Sequence, residues 1–283
     1  MDKTLDINRL WMVIRWDIHT YWKKYLGITV GLSIALTLFL LTQLNTLKMS
    51  NENGMEHYYE TFFIERMSGI PMGFTFATFL GLSTCIFTNM KDKFERETFL
   101  MLPASNIEKF VTRFLVMGVG SIIMANIACI IGDLVQMAFS FYFTPGHHNS
   151  VMVCAFKILL DDTLGYKPLI ALLFKNNFDK ICLAWSLFVL LHSFCTLGGT
   201  VYRKHPVILT AASGLAISFI FTLGGLQLDE WGFFDLFPQI NYDNKIVSLF
   251  EMVIFLGLAA LLYYTSYKIF TRMQVICNKW VNA

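Results

Sequence analysis

The sequence predicts an all-α, polytopic membrane protein with six transmembrane helices, and three observations lead to that class. Of the 283 residues, 55% are hydrophobic and only 15% are charged, whereas a soluble domain carries about 25% charged residues. Charge-free runs recur along the chain, and they are long enough for the roughly 20-residue helix that crosses a bilayer. The formal net charge is only +2, so the chain lacks the basic surface that nucleic-acid binding requires.

Six long stretches contain no Asp, Glu, Lys or Arg, and another contains only Glu251. One of the six, 134–156, is broken by Pro145-Gly146 and is given no span. The others are residues 25–47, 67–90, 114–132, 181–202 and 206–228, and the stretch with Glu251 is 246–267. We therefore predict membrane spans near 26–45, 70–90, 111–143, 181–200, 206–227 and 246–268. The third span is about 50 Å long at 1.5 Å per residue, which exceeds the ~30 Å hydrocarbon core. It is expected either to project beyond the outer surface or to break near Gly132.

Residues 1–25 are predicted to form a cytoplasmic segment that precedes the six-helix domain of residues 26–283. Within this segment, 7–24 has the pattern of an amphipathic helix that lies along the membrane surface. Its polar side chains lie mostly away from an apolar stripe; they are Asn8, Arg9, Arg15, Asp17, His19 and Lys23. The stripe consists of Ile7, Leu10, Trp11, Ile14, Ile18, Tyr21 and Trp22. The alternative is that Trp11, Met12, Val13 and Trp16 pack on another protein surface.

The distribution of Lys and Arg predicts the orientation in the membrane. Fifteen of these 22 residues lie in the N-terminal segment, in the connections after spans two and four, and in the C-terminal tail. Seven lie in the longer loops on the other side. Because cytoplasmic loops are enriched in bases, both termini and residues 91–110 are predicted to be cytoplasmic, and 146–180 to be outside.

The connection 91–110, which we name the elbow, reads KDKFERETFLMLPASNIEKF. A helix is predicted to continue from span two through Leu100 and to stop at Pro103, because proline disfavours helical geometry in the residue before it. Ser105 and Glu108 have the spacing of a capping box, so a new helix is expected to start directly after the serine and to run into span three.

The elbow is also predicted to expose Phe94, Phe99 and Met101 among mixed charges, which an ordinary positively charged loop does not require. Such a surface suits docking of a protein partner. Phe94 and Phe99 are the expected apolar anchors, with Glu95, Arg96 and Lys109 as a polar rim. The residues assigned to the docking elbow are Phe94, Glu95, Arg96, Phe99, Leu102, Pro103, Ser105, Glu108 and Lys109.

Motifs for catalysis are missing. The sequence has no GxxxxGK[ST] phosphate loop, no HExxH and no GxSxG, so the chain is expected to be no enzyme and to bind no cofactor or metal itself. His147 and His148 adjoin Pro145-Gly146 and are interpreted as a loop rather than a metal site. The six cysteines show no CxxC or zinc-like spacing and are interpreted as small buried side chains.

Three polar residues fall within or at the ends of predicted spans. Asp133 and Glu251 lie near the outer ends and are interpreted as structural residues that pair with loop bases or water. His192 lies inside span four and is expected to form a hydrogen bond with a neighbouring helix, with a functional role as the alternative.

The run 94–105, followed by Glu108, Lys109, Phe110 and Arg113, resembles the LPAS…EKF…R signature of ABC-2-type transporter permeases, in particular the six-span versions found in Bacteroidota. The resemblance implies an exporter in the inner (cytoplasmic) membrane, whose elbow presses on a separate soluble ATPase subunit that holds ATP and Mg. It also implies a second permease chain, identical or paralogous. It does not imply a substrate, because the outer region 146–180 is longer than a minimal loop.

Three other functions stay open. The chain could be a secondary carrier or channel, a membrane accessory, immunity or scaffold protein that transports nothing, or an intramembrane enzyme. A partner ATPase would separate the permease from all of these.

Overall fold

The computed structural model describes residues 6–52, 67–90, 92–143, 149–160, 178–230 and 245–272. The helices in these ranges are α1 (Ile7–Glu52), α2 (Ile70–Ser83), α3 (Lys93–Leu100), α4 (Asn106–Phe143), α5 (Val151–Leu160), α6 (Phe178–Val201), α7 (Pro206–Glu230) and α8 (Lys245–Thr271). Six helical segments are long and apolar enough to cross a membrane. The predicted all-helical class is confirmed for the described residues, and the number of their helices that could cross a membrane equals the predicted six.

α1 is one helix of 46 residues, about 69 Å long at 1.5 Å per residue. The predicted division near residue 25 is therefore not a helix end. No proline or helix-capping residue interrupts the chain there, and the glycines Gly27 and Gly31 stay within the helix. The location of 7–24 at the membrane surface stays a prediction.

The first half of α1 has two distinct faces. Val13, Asp17 and Tyr21 are buried, whereas Trp11 and Trp22 are exposed. Asp17 was expected among the polar surface positions, and this expectation is wrong. A hydrogen bond from Tyr25 Oη to its carboxylate, 2.7 Å long, helps to satisfy the buried carboxylate.

One compact unit comprises Ile7–Phe79 and Leu115–Asn176. Its core contains side chains from α1, α4 and α5 and one from the segment before α2, namely Leu36, Leu40, Leu44, Cys129, Val151 and Met67. α4 is unbroken over its 38 residues, so the helix does not break at Gly132. That glycine is a packing site instead, since a Cβ there would lie 3.3 Å from Leu36 Cδ2.

The second compact unit comprises Met1–Asp6, Leu80–Phe114 and Asn177–Ala283. In it α6 packs along α8 and beside α7. The pair Gly198-Gly199 is a close-packing site. A Cβ on Gly199 would lie 2.5 Å from the backbone oxygen of Thr84, and a Cβ on Gly198 would overlap the side chain of Thr210.

α2 ends earlier than predicted. It stops at Ser83, and turns lead through a 3-10 segment, Thr88–Met90, to the separate helix α3. The predicted continuous helix from span two through Leu100 is therefore wrong. The hydroxyls of Thr84 and Thr88 donate to the carbonyls of Gly81 and Cys85, and such local bonds compete with helical ones.

Candidate functional site

The elbow has the predicted capping box. Ser105 N–H donates to Glu108 Oε2 at 2.8 Å, and Glu108 N–H donates to Ser105 Oγ at 3.2 Å. These reciprocal bonds satisfy two backbone donors at the start of α4. The preceding helix α3 ends at Leu100, three residues before Pro103, as expected. The turn between the two helices is thus fixed by bonds within the elbow.

Lys109 holds the end of α3. Its Nζ donates to the carbonyl oxygen of Leu100 at 2.6 Å, and the side chain is buried. The last carbonyls of a helix have no partner within the helix, and a cation there also complements the helix dipole. Lys109 is therefore a cap for α3. The prediction that it belongs to an exposed polar rim is wrong.

Phe99 lies inside the protein. Its side chain is 0% exposed, and the guanidinium carbon of Arg113 lies 6.0 Å from its ring centroid. Arg113, which is also buried, donates from Nε to the carbonyl oxygen of Ile86 at 3.0 Å. Phe99 and Arg113 therefore brace the elbow against the turn that follows α2. The assignment of Phe99 as an exposed docking anchor is wrong.

An aromatic cluster packs behind the elbow. Phe110 of α4 contacts Phe87 and two side chains of α8, Tyr267 and Phe270, with ring centroids 5.6–6.0 Å apart. Phe87 stacks on Phe270 at 4.9 Å. The start of α4 is thus joined to the end of α8 by aromatic packing, which contributes beyond its buried area.

Fewer apolar side chains of the elbow are exposed than predicted. Phe94 in α3 is 78% exposed, and Met101, the residue directly after α3, is 81% exposed. Lys93 and Glu97 form an exposed ion pair on the same helix, with 3.9 Å between Nζ and Oε1. We name the group Phe94, Met101, Lys93 and Glu97 the outer patch.

The other predicted elbow residues divide between surface and interior. Pro103 is exposed; Glu95, Leu102 and Ser105 are half-buried; Arg96 and Glu108 are buried. The prediction that Arg96 belongs to a polar rim is wrong, because Arg96 and Phe99 share the inner side of α3. Helical spacing alone could have separated Arg96 and Phe99 from Phe94, since residues three apart share one side of a helix. No local pattern in the sequence indicates that Arg113 braces the elbow.

His192 forms the contact that the sequence predicted, with a neighbouring helix. Its Nδ1 lies 2.5 Å from Tyr263 Oη on α8, and the side chain is 5% exposed. The ring of Phe114 packs edge-on against both rings, at 5.3 and 5.7 Å between centroids. Phe114 thus packs against both members of the hydrogen-bonded pair.

Asp133 caps a helix. Its carboxylate accepts bonds from Ser150 Oγ at 2.5 Å and from Val151 N–H at 2.7 Å. These are groups at the start of α5, so its partners are a serine and a backbone amide rather than the predicted loop bases or water. A negative charge at a helix N-terminus is favourable. Glu251 is half-buried in the first half of α8.

The described residues show neither a metal-binding cluster nor a disulfide. These ranges contain no group of three or more His, Cys, Asp or Glu side chains placed to hold a metal ion. No disulfide joins the five cysteines in these ranges, which are Cys85, Cys129, Cys154, Cys182 and Cys195. His147, His148 and Cys277, together with most of the outer region 146–180, lie outside the described residues.

The chain was compared with protein-family models, with curated proteins and with solved structures, and no match was found in any of the three.

Proposed function

We propose that this chain is the membrane-spanning permease subunit of an ATP-driven exporter, and that the elbow docks a separate soluble ATPase. The observation that supports this most is a turn braced from within that presents two large apolar side chains outward. Bonds through Glu108, Lys109 and Arg113 hold the turn, while Phe94 and Met101 are free of the core. A turn fixed in this way can transmit a displacement caused by a partner to α4.

The outer patch has the composition of a protein interface. Phe94 and Met101 provide an apolar centre, and Lys93 and Glu97 provide charges beside it. Interfaces are enriched in aromatic residues and Met at the centre and in polar residues at the rim, and a few anchors supply most of the binding energy. One large apolar side chain on α3 and another directly after the helix suit insertion into a groove on the ATPase.

The remaining parts of the proposal come from the sequence. The chain has no phosphate loop, so ATP and Mg belong to the partner, as the resemblance to ABC-2-type permeases implies. A second permease chain completes the transporter. The same resemblance implies the location in the inner membrane, and the Lys and Arg distribution favours an orientation with both termini and the elbow in the cytoplasm.

The orientation is tested by labelling single cysteines from outside the cell in a cysteine-free background. Asn149 and Thr98 are both exposed, so neither site is hidden by the fold. A cysteine in place of Asn149 is expected to react with a membrane-impermeant maleimide, and one in place of Thr98 only after permeabilisation. The reverse pattern contradicts the orientation.

The partner is tested by purifying the tagged full-length chain from its native membranes. We expect a protein with a phosphate loop to co-purify, and the double variant Phe94→Ser, Met101→Ser to retain at least tenfold less of it. Thr98→Ala is the matched control, since Thr98 is an exposed residue of α3 without an apolar anchor. Equal retention by both variants contradicts the docking site, and the absence of any ATPase favours an accessory protein.

A secondary carrier is the second candidate, and the His192–Tyr263 pair favours it. Ionisable side chains inside a span mark ion or substrate pathways in many transporters. Transport that continues without ATP and fails in Tyr263→Phe would support the carrier over the ATP-driven exporter.

A further inference from the structure

Glu108 contacts the backbone at the start of two helices. Its side chain is 0% exposed. Oε2 accepts from the N–H of Ser105, 2.8 Å away, and Oε1 accepts from the N–H of Asp6, 2.9 Å away. Ser105 is the residue directly before α4, and Asp6 is the residue directly before α1. Asp6 and Glu108 are 102 positions apart and belong to the same compact unit.

The bond to Asp6 has the form of a capping box whose acceptor comes from elsewhere in the chain. In a capping box the third residue of a helix reaches back to the N–H of the N-cap residue. Glu108 does so in α4, but the third residue of α1 is Arg9, whose guanidinium has no acceptor. Glu108 supplies that acceptor from the elbow. Its negative charge also lies at the positive ends of two helix dipoles.

We propose that Glu108 is a positioning residue that holds the N-cap of α1 on the elbow, so that a displacement of the elbow acts on the first turn of α1. One carboxylate serves both helix starts, each through its own oxygen. The elbow turn therefore cannot rotate about Ser105 without stretching the bond to Asp6. That an ATPase supplies the displacement rests on the proposed function; the link itself rests on the hydrogen bonds alone.

The link is tested by hydrogen exchange and mass spectrometry on the full-length chain in detergent without any ATPase, so that its failure is distinct from failure of the proposed function. Two sets of peptides are followed, covering residues 6–10 and residues 104–109. In Glu108→Ala we expect exchange to become roughly tenfold faster or more in both, because hydrogen bonds to a charged group protect both helix starts.

Two further variants separate the link from a general loss of stability. Ser105→Ala removes only the hydroxyl acceptor within the elbow, so exchange should rise in 104–109 and stay unchanged in 6–10. Glu108→Gln replaces one acceptor oxygen by a donor, so protection should fall in one segment and persist in the other. It also keeps the proposal testable where Glu108→Ala fails to fold.

The proposal is overturned if Glu108→Ala accelerates exchange in 104–109 while residues 6–10 exchange as in the wild type. It is also overturned if Glu108→Gln accelerates both segments and the body of α4 to the same extent, since Glu108 would then stabilise the fold as a whole.

Discussion

Two phenylalanines of the same eight-residue helix should respond in opposite ways to truncation. Phe99 is 0% exposed and packs beneath the guanidinium of Arg113, whereas Phe94 is 78% exposed. Removing a fully buried phenylalanine side chain costs about 3–5 kcal/mol, and the lost contact with the Arg113 cation adds to that cost. A surface truncation usually changes stability by less than about 0.5 kcal/mol. Phe99→Ala should therefore destabilise the fold, and Phe94→Ala should not.

The assay is unfolding of the purified full-length chain by SDS in mixed micelles, followed by loss of helical circular dichroism. We expect the free energy of unfolding to fall by about 3 kcal/mol or more in Phe99→Ala and to stay within about 0.5 kcal/mol of wild type in Phe94→Ala. Phe99→Leu, which keeps most of the apolar volume, should lose clearly less than Phe99→Ala. Equal stability of the two alanine variants would refute the assignment of Phe99 to the interior.

Three further predictions use the same unfolding assay or a transport assay. Asp133→Asn, which loses the charge that caps α5, should lower the free energy of unfolding by about 1–3 kcal/mol, and unchanged stability would contradict the capping role. Gly199→Ala places a Cβ 2.5 Å from a backbone oxygen and should destabilise by about 1–3 kcal/mol, whereas Gly257→Ala, with nothing within 4 Å, should be neutral or stabilising. Tyr263→Phe removes the bond to His192 and should leave ATP-dependent transport intact; complete loss of transport in a folded variant would favour the carrier.

The features that could be predicted from the sequence are those that local rules determine. The spans follow from hydrophobicity and length, since a bilayer imposes both on each helix separately. The capping box of Ser105 and Glu108 follows from a spacing of three residues. Long-range contacts set the rest. Nothing near Phe99 in the sequence shows that Arg113 covers its ring, and nothing near Glu108 shows that its second oxygen binds Asp6.

Two errors arose where several signals competed. The charge-free run 67–90 predicted one helix, but threonine hydroxyls bond to nearby carbonyls and the chain turns after Ser83. Arg96 and Lys109 were expected at the surface because charged residues are rarely buried. Lys109 is buried since it caps the carbonyl of Leu100, a partner that becomes adjacent only after α3 and α4 have folded back on each other.

Photo-crosslinking from the outer patch tests most directly whether the elbow docks a soluble ATPase. A photoreactive amino acid is placed at Phe94, and the control is Tyr142, which is 75% exposed near the opposite end of α4. After irradiation of whole cells, the tagged chain is purified and its crosslinked partners are identified by mass spectrometry. We expect a crosslink from position 94, and none from position 142, to a soluble protein that contains a phosphate loop. A protein with such a loop crosslinked equally from both positions, or no soluble protein crosslinked from position 94, would contradict it.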